Sequence, residues 1–91
     1  MFQEESNRIF LNNDAGEMVA EVTFPAVSEH KVVVDHTFVD DSLRGQGVAE
    51  KLMVAIAEKF RKEGLTFVAT CSYAKKWFDK RAEEYSDIYN V

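Results

Sequence analysis

Polar and apolar positions alternate along the first third of the chain and recur at helical spacing in the middle. Arg8 to Leu11 is a short apolar-leaning run, and Asn12-Asn13-Asp14-Ala15-Gly16 after it is dense in turn formers. From Glu17 to Phe24 the period is two. Met18, Ala20, Val22 and Phe24 share one face, and Glu17, Val19, Glu21 and Thr23 share the other. That period describes a half-buried strand, so the two runs predict a hairpin. Pro25 has no N–H to give to a ladder and ends or bulges the second strand. Ser28-Glu29-His30 reads as the next turn. Lys31 to Val39 is rich in β-branched residues and apolar on both faces, as a central strand is.

After Asp40-Asp41-Ser42-Leu43-Arg44-Gly45-Gln46-Gly47 the period changes. Val48, Leu52, Ala55, Ile56 and Phe60 recur at helical spacing, while Glu50, Lys51, Glu58, Lys59, Arg61 and Lys62 fall mostly on the opposite face. Gly64 is placed to stop this helix. Leu65 to Cys71 is a second apolar strand, and Ser72 is an N-cap candidate for a second helix running to about Tyr85. The tail Ile88-Tyr89-Asn90-Val91 fits no single element. The order is β-β-β-α-β-α, an α+β (α/β-like) fold with a small mixed sheet. Strand, helix, strand at this length implies a right-handed crossover and a parallel pair between strands 31–39 and 65–71.

Length and composition set bounds on this reading. The 91 residues suffice for one domain, 1–91, with ordinary globular composition: 46% hydrophobic and 30% charged. Sixteen acidic against 11 basic residues leave a net charge of −5, which disfavours nucleic acid and anionic membrane as partners. No apolar stretch approaches the roughly 18 residues of a membrane span. Met1-Phe2-Gln3-Glu4-Glu5 has no basic region leading into an apolar one, so a cytoplasmic protein is expected. Cys71 is the sole cysteine and His30 and His36 are the sole histidines. No disulfide and no metal site is expected from so few ligands.

Arg44-Gly45-Gln46-Gly47-Val48-Ala49 carries the chemical information. It lies between a buried strand and a helix, and its two glycines let a ligand approach the main chain closely. The first N–H groups of a helix lack intrahelical acceptors and carry partial positive charge, so a loop entering there suits a phosphate. A dinucleotide fingerprint would need glycine or alanine where Glu50 stands, and a P-loop would need Gly-Lys-Ser/Thr. Neither is present. The segment instead resembles motif A of the GNAT (GCN5-related) N-acetyltransferases, Gln/Arg-x-x-Gly-x-Gly/Ala, with Arg44, Gly47 and Ala49 in its fixed positions. His36-Thr37-Phe38-Val39 and Cys71-Ser72-Tyr73 resemble the very small, single-domain YjdJ-like group of that superfamily, over roughly residues 17–89.

The resemblance implies an acetyl-CoA-dependent N-acetyltransferase. Acetyl-CoA would lie between the two parallel strands where they splay, with no metal. Its pyrophosphate would rest on the backbone of Arg44, Gly45, Gln46, Gly47, Val48 and Ala49. Its pantetheine would pair with the main chain of Phe38 and Val39, with Tyr73 nearby. Larger relatives carry an Asn-x-x-Ala-x-x-apolar-Tyr-x-Lys pattern whose tyrosine protonates the departing CoA. Here Cys71 stands at the asparagine and Phe78 at the tyrosine, so that acid is missing and Cys71, Tyr73 or water replaces it. Cys71 and His36, near the ends of neighbouring strands, are the expected catalytic pair. The acceptor is an amine on a small molecule, peptide or protein. The helices that usually wall off its site are lacking, so a bulky acceptor or a second copy of the chain would close it. A non-catalytic acyl-CoA-binding module is the alternative. Tyr73, Trp77, Phe78 and Tyr85 read as core more than as a substrate cage, and Lys75 and Lys76 as a solvated helix face more than as contacts to the CoA phosphates.

Overall fold

In a computed structural model that describes residues 2–90, the chain forms seven strands and two helices. The strands are β1 (Gln3–Glu5), β2 (Arg8–Asn12), β3 (Met18–Thr23), β4 (Ala26–Ser28), β5 (Lys31–Val34), β6 (His36–Val39) and β7 (Thr66–Ala69). The helices are α1 (Val48–Glu63) and α2 (Ser72–Asp79). The expected α+β order is present, with two short strands added. β1 pairs with β2 although its three side chains are all exposed, and β4 pairs with β5 just after Pro25.

The expected single mixed sheet is divided in two. β1-β2-β3-β6 form an antiparallel sheet, and β4-β5-β7 form a second one in which β5 and β7 run parallel. The division falls at Asp35, in the middle of what reads as one continuous strand. Lys31 to Val34 pair with Thr66 to Ala69, whereas His36 to Val39 pair with Thr23 to Ala20 of β3. Asp35 anchors the switch: its N–H donates to Thr23 O, and its carboxylate accepts from the Thr23 hydroxyl at 2.5 Å. The parallel partnership therefore stops at Val34. Past that point β6 and the end of β7 diverge.

α1 lays Val48, Leu52, Met53, Ile56, Ala57 and Phe60 into the core. It ends where expected, on Gly64 at φ +70°, whose N–H reaches back to Phe60 and Arg61 carbonyls. A run of aromatic contacts crosses the interior: Phe24 to Phe60 and Phe60 to Phe67 at 5.1 Å between centroids, then Phe67 to Phe78 at 4.7 Å. The second helix differs from its expected form at both ends. Cys71, not Ser72, occupies the N-cap, and the helix stops at Asp79 instead of near Tyr85. Residues 80–88 continue as turns that bury Tyr85 and Ile88. The tail then bridges the free edge of β7: Phe67 N–H donates to Ile88 O at 2.9 Å, and Asn90 N–H to Phe67 O at 2.8 Å.

Candidate active site

The divergence of β6 from β7 opens a gap on the side where α1 begins. At its closed end the N–H groups of Thr70 and Cys71 both donate to Val34 O, at 2.9 and 3.1 Å. Farther out β6 is the last strand of its sheet, so half its main-chain groups are free. Asp40 N–H donates to Val19 O at 2.8 Å, and with the register Val39 to Ala20 this fixes the alternation. Phe38 turns its main-chain groups toward β3, while Thr37 and Val39 turn theirs to the gap. Of the expected pair Phe38 and Val39, only Val39 offers its backbone there, and Thr37 is the second residue that does.

The gap leads to a cavity of about 260 Å³ lined by Val39, Asp40, Leu43, Arg44, Gly45, Gly47, Val48, Ala49, Glu50 and Tyr73. Seven of the expected cofactor-contacting residues are therefore gathered on its walls. Phe38 and Gln46 are not: Gln46 N–H is engaged by Leu43 O at 3.2 Å. Gly45 and Gly47 have φ of +83° and +69°, a left-handed conformation that side-chain-bearing residues seldom adopt. These two turns aim the chain into α1 with its donors outward. The N–H groups of Gly45, Gly47, Val48, Ala49 and Glu50 have no acceptor among the described residues, the first intrahelical bond being Lys51 N–H to Gly47 O at 3.1 Å. Five free donors at a helix N-terminus form an anion cradle. The Arg44 side chain turns away, paired with Asp41 at 2.7 Å and largely solvated.

Cys71 lies at the closed end. Its Sγ donates to Thr37 Oγ1 at 3.5 Å, a contact between β6 and the start of α2. Burial pushes the thiol up, but the polar Thr37 hydroxyl and the nearby main-chain groups of Ala74, Tyr73 and Thr37, which favour the thiolate, outweigh it, and the net shift is downward. A cysteine at the N-cap of a helix gains this from the same unpaired N–H groups. Removing the hydroxyl in Thr37→Val is expected to raise the Cys71 pKa, so the pH midpoint of its alkylation by iodoacetamide moves upward. A midpoint that stays put or falls would show that Thr37 does not tune the thiol.

His36 does not meet Cys71 in the resting geometry. Successive residues of β6 point to opposite faces. Thr37 faces Cys71, so His36 and Phe38 lie on the outer face, opposite Thr23 and Glu21. His36 Nε2 is 3.7 Å from Glu21 Oε1, whose carboxylate also binds Arg8 at 2.7 Å, and the imidazole is 53% exposed. The two expected catalytic residues thus flank one strand, Cys71 inside the gap and His36 outside it. Tyr73, 38% exposed, edges the cavity; burial first, then Glu50, raises its hydroxyl pKa. Phe78 is fully buried among Phe67, Trp77 and Tyr85. Among the described residues no group of three His, Cys, Asp or Glu side chains is placed to hold a metal.

Thr37 escaped the sequence reading because one threonine in a β-branched run carries no signal of its own. The free edge of β6 was hidden for a related reason, since nothing in Val32-Val33-Val34-Asp35-His36 but the single aspartate marks the change of partner.

Comparison with known proteins agrees with this geometry. A family model described as GCN5-related N-acetyl-transferase matches residues 8–88. The solution structure of a GCN5-like protein from Staphylococcus aureus is 34% identical, with a TM-score of 0.81 over 99% of this chain and 87% of its own. A GNAT family N-acetyltransferase, YhbS, of Escherichia coli in complex with CoA is 22% identical, with a TM-score of 0.60 over 68% of this chain and 38% of its own. The ribosomal-protein-alanine N-acetyltransferase of Brucella melitensis is 23% identical, with a TM-score of 0.63 over 81% of this chain and 61% of its own. These last two share the fold. Comparison with curated proteins finds no match. From the family match over residues 8–88, with the splayed strands and the donor-lined helix entry, the chain belongs to the GCN5-related N-acetyltransferases.

Proposed function

We propose that the protein transfers the acetyl group of acetyl-CoA to an amine. The observation that carries this is the continuity of three features: the five unpaired N–H groups of residues 45–50, the free edge of β6 at Val39 and Thr37, and Cys71 at the closed end. The first suits a pyrophosphate and the second an extended chain bearing amides. The third puts a proton donor where a thioester sulfur would arrive.

The opposite placement of Cys71 and His36 favours direct attack by the amine over an acetyl-cysteine intermediate. The thioester lies in the gap and the amine approaches across the outer face of β6, past Phe38 and His36. Nitrogen bonds to the carbonyl carbon, and Val39 N–H donates to the oxygen that becomes anionic. His36 takes the ammonium proton, the C–S bond breaks, and Cys71 protonates the departing CoA sulfur before recovering a proton from water. Amine acceptors of every size are compatible with the open outer face. Among the described residues no helix is long and apolar enough to cross a membrane, in keeping with a cytoplasmic enzyme.

A second reading is favoured by Phe78, which is buried in the core where larger relatives carry their acid: the fold then binds acyl-CoA without turnover. Calorimetry with acetyl-CoA, followed by thiol release with a panel of amines, tests both readings. Binding with thiol release, slowed about 10²- to 10⁴-fold in His36→Ala, supports the transferase. Binding with no release from any amine supports the module, and no binding overturns both. Stoichiometric acetylation of Cys71 by acetyl-CoA alone would replace direct attack with the acyl-cysteine route.

A further inference from the structure

On the outer face of the antiparallel sheet one carboxylate stands apart from the rest. The Glu21 side chain, in the middle of β3, is 14% exposed, whereas every other ion-paired carboxylate among the described residues is 40% exposed or more. Its cross-strand partners are aromatic, Phe10 of β2 on one side and Phe38 of β6 on the other. A carboxylate between two phenylalanines loses hydration, and it stays charged there only if a partner offsets that cost.

Arg8 is that partner. Its guanidinium lies 3.9 Å over the Phe10 ring, where Nη1 donates to Glu21 Oε2 and Nε to Glu5 Oε1, both at 2.7 Å. Three strands thus hold Glu21 in one orientation through a side chain that is always charged. Only one carboxylate oxygen is used in this way. Oε1 accepts no hydrogen bond among the described residues and faces His36 Nε2 at 3.7 Å. Among the described residues Glu21 is the one acid within ion-pair reach of that ring. Asp35, beside it in the chain, accepts from the Thr23 hydroxyl instead. The imidazole is otherwise exposed, so this contact decides which nitrogen turns to an arriving amine.

We propose that Glu21 is the positioning residue for His36, held to that task by Arg8. The proposal rests on the transferase reading above, in which His36 takes the proton of the attacking amine. With Nε2–H turned to Glu21, the lone pair of Nδ1 is left to face the amine. The N–H bond of the amine breaks as the bond from its hydrogen to Nδ1 forms, and the new imidazolium has the Glu21 carboxylate as its counter-charge. Glu21 takes no proton itself, and the imidazolium later releases its own to water. Because the imidazole is half solvated, screening limits the effect on kcat to about tenfold.

A double-mutant cycle on amine-dependent thiol release at saturating acetyl-CoA tests this, using the amine that wild type acetylates fastest. The variants are Glu21→Ala, His36→Ala and the two together, each with calorimetry of acetyl-CoA. Glu21→Ala is expected to lower kcat about tenfold while acetyl-CoA affinity stays within about twofold. In the His36→Ala background the same substitution is expected to change kcat by less than about twofold, because the ring it positions is gone. Glu21→Gln keeps the shape and an acceptor oxygen without the charge. Its loss is expected to be about threefold, again only when His36 is present, and it carries the test alone if Glu21→Ala does not fold. An unchanged kcat, or an equal loss with and without His36, would overturn the positioning role and leave His36 as the base. So would a matching loss of acetyl-CoA affinity. Full activity in His36→Ala would remove the base and this proposal together. No thiol release from wild type with any amine would overturn the transferase reading and the proposal with it.

Discussion

Gly47→Asp is expected to weaken acetyl-CoA binding by about a hundredfold or more while leaving the fold intact. Nothing lies within 4 Å of the position a Cβ would take at Gly47, so no clash disrupts α1. The backbone, at φ +69° and ψ 22°, is left-handed, and aspartate is among the few side chains that visit this region, at a cost of roughly 1–2 kcal/mol. Binding suffers instead. The carboxylate sits among the free N–H groups of residues 45–50 and competes for them, and it opposes a dianionic pyrophosphate. Two unit charges 4 Å apart near a protein surface repel by about 4 kcal/mol, and screening leaves part of that. Gly47→Ala is the control: it has at least as much backbone strain with no charge, and its loss is expected to stay within about tenfold. Circular dichroism establishes the fold and calorimetry the affinity. Binding of acetyl-CoA by folded Gly47→Asp at near wild-type strength would remove the loop from the ligand site.

That variant tests the part of the site most legible in the sequence. Two glycines ahead of an amphipathic helix dictate a turn and an exposed helix start, and backbone chemistry follows from residue type alone. Side-chain chemistry was less legible because it depends on which face of which strand a residue occupies. Cys71 lies just past the C-terminal end of β7, but the split makes His36 the first residue of β6, where the reading as one strand put both near C-terminal ends. One residue of alternation also separates them, and the split at Asp35 had to be known before the faces of β6 could be assigned. The overextended second helix has a similar origin. Trp77, Phe78, Tyr85 and Ile88 keep an apolar rhythm past Asp79 because the turns of residues 80–88 also pack on the core, and no glycine or proline marks the change. β1 was invisible for the opposite reason. Its Gln-Glu-Glu side chains are all solvated, and main-chain pairing alone makes it a strand.

The same core that hid the helix end supplies the largest expected loss of stability. Phe67→Ala is expected to cost about 4 kcal/mol. Phe67, the second residue of β7, is fully buried, and its ring meets Phe60 at 5.1 Å, Phe78 at 4.7 Å and Tyr89 at 5.0 Å. Truncating a buried phenylalanine costs about 3–5 kcal/mol in all, through lost transfer free energy, lost ring contacts and the cavity left behind. Its ring neighbours come from α1, α2 and the tail, so no single element can collapse into the void. Small domains have roughly 5–15 kcal/mol in all, which places the variant close to unfolding. Phe67→Leu, which keeps most of the volume, is expected to cost about 1.5 kcal/mol or a little more. The tail should respond as well. Tyr89 stacks on the Phe67 ring and Asn90 bonds the Phe67 carbonyl, so hydrogen exchange at Tyr89 and Asn90 should accelerate beyond the global effect. Urea unfolding of the two variants provides the measurement. A loss below about 2 kcal/mol in Phe67→Ala would mean that the aromatic cluster relaxes around the gap, and that the tail, not β7, holds the second sheet to α2.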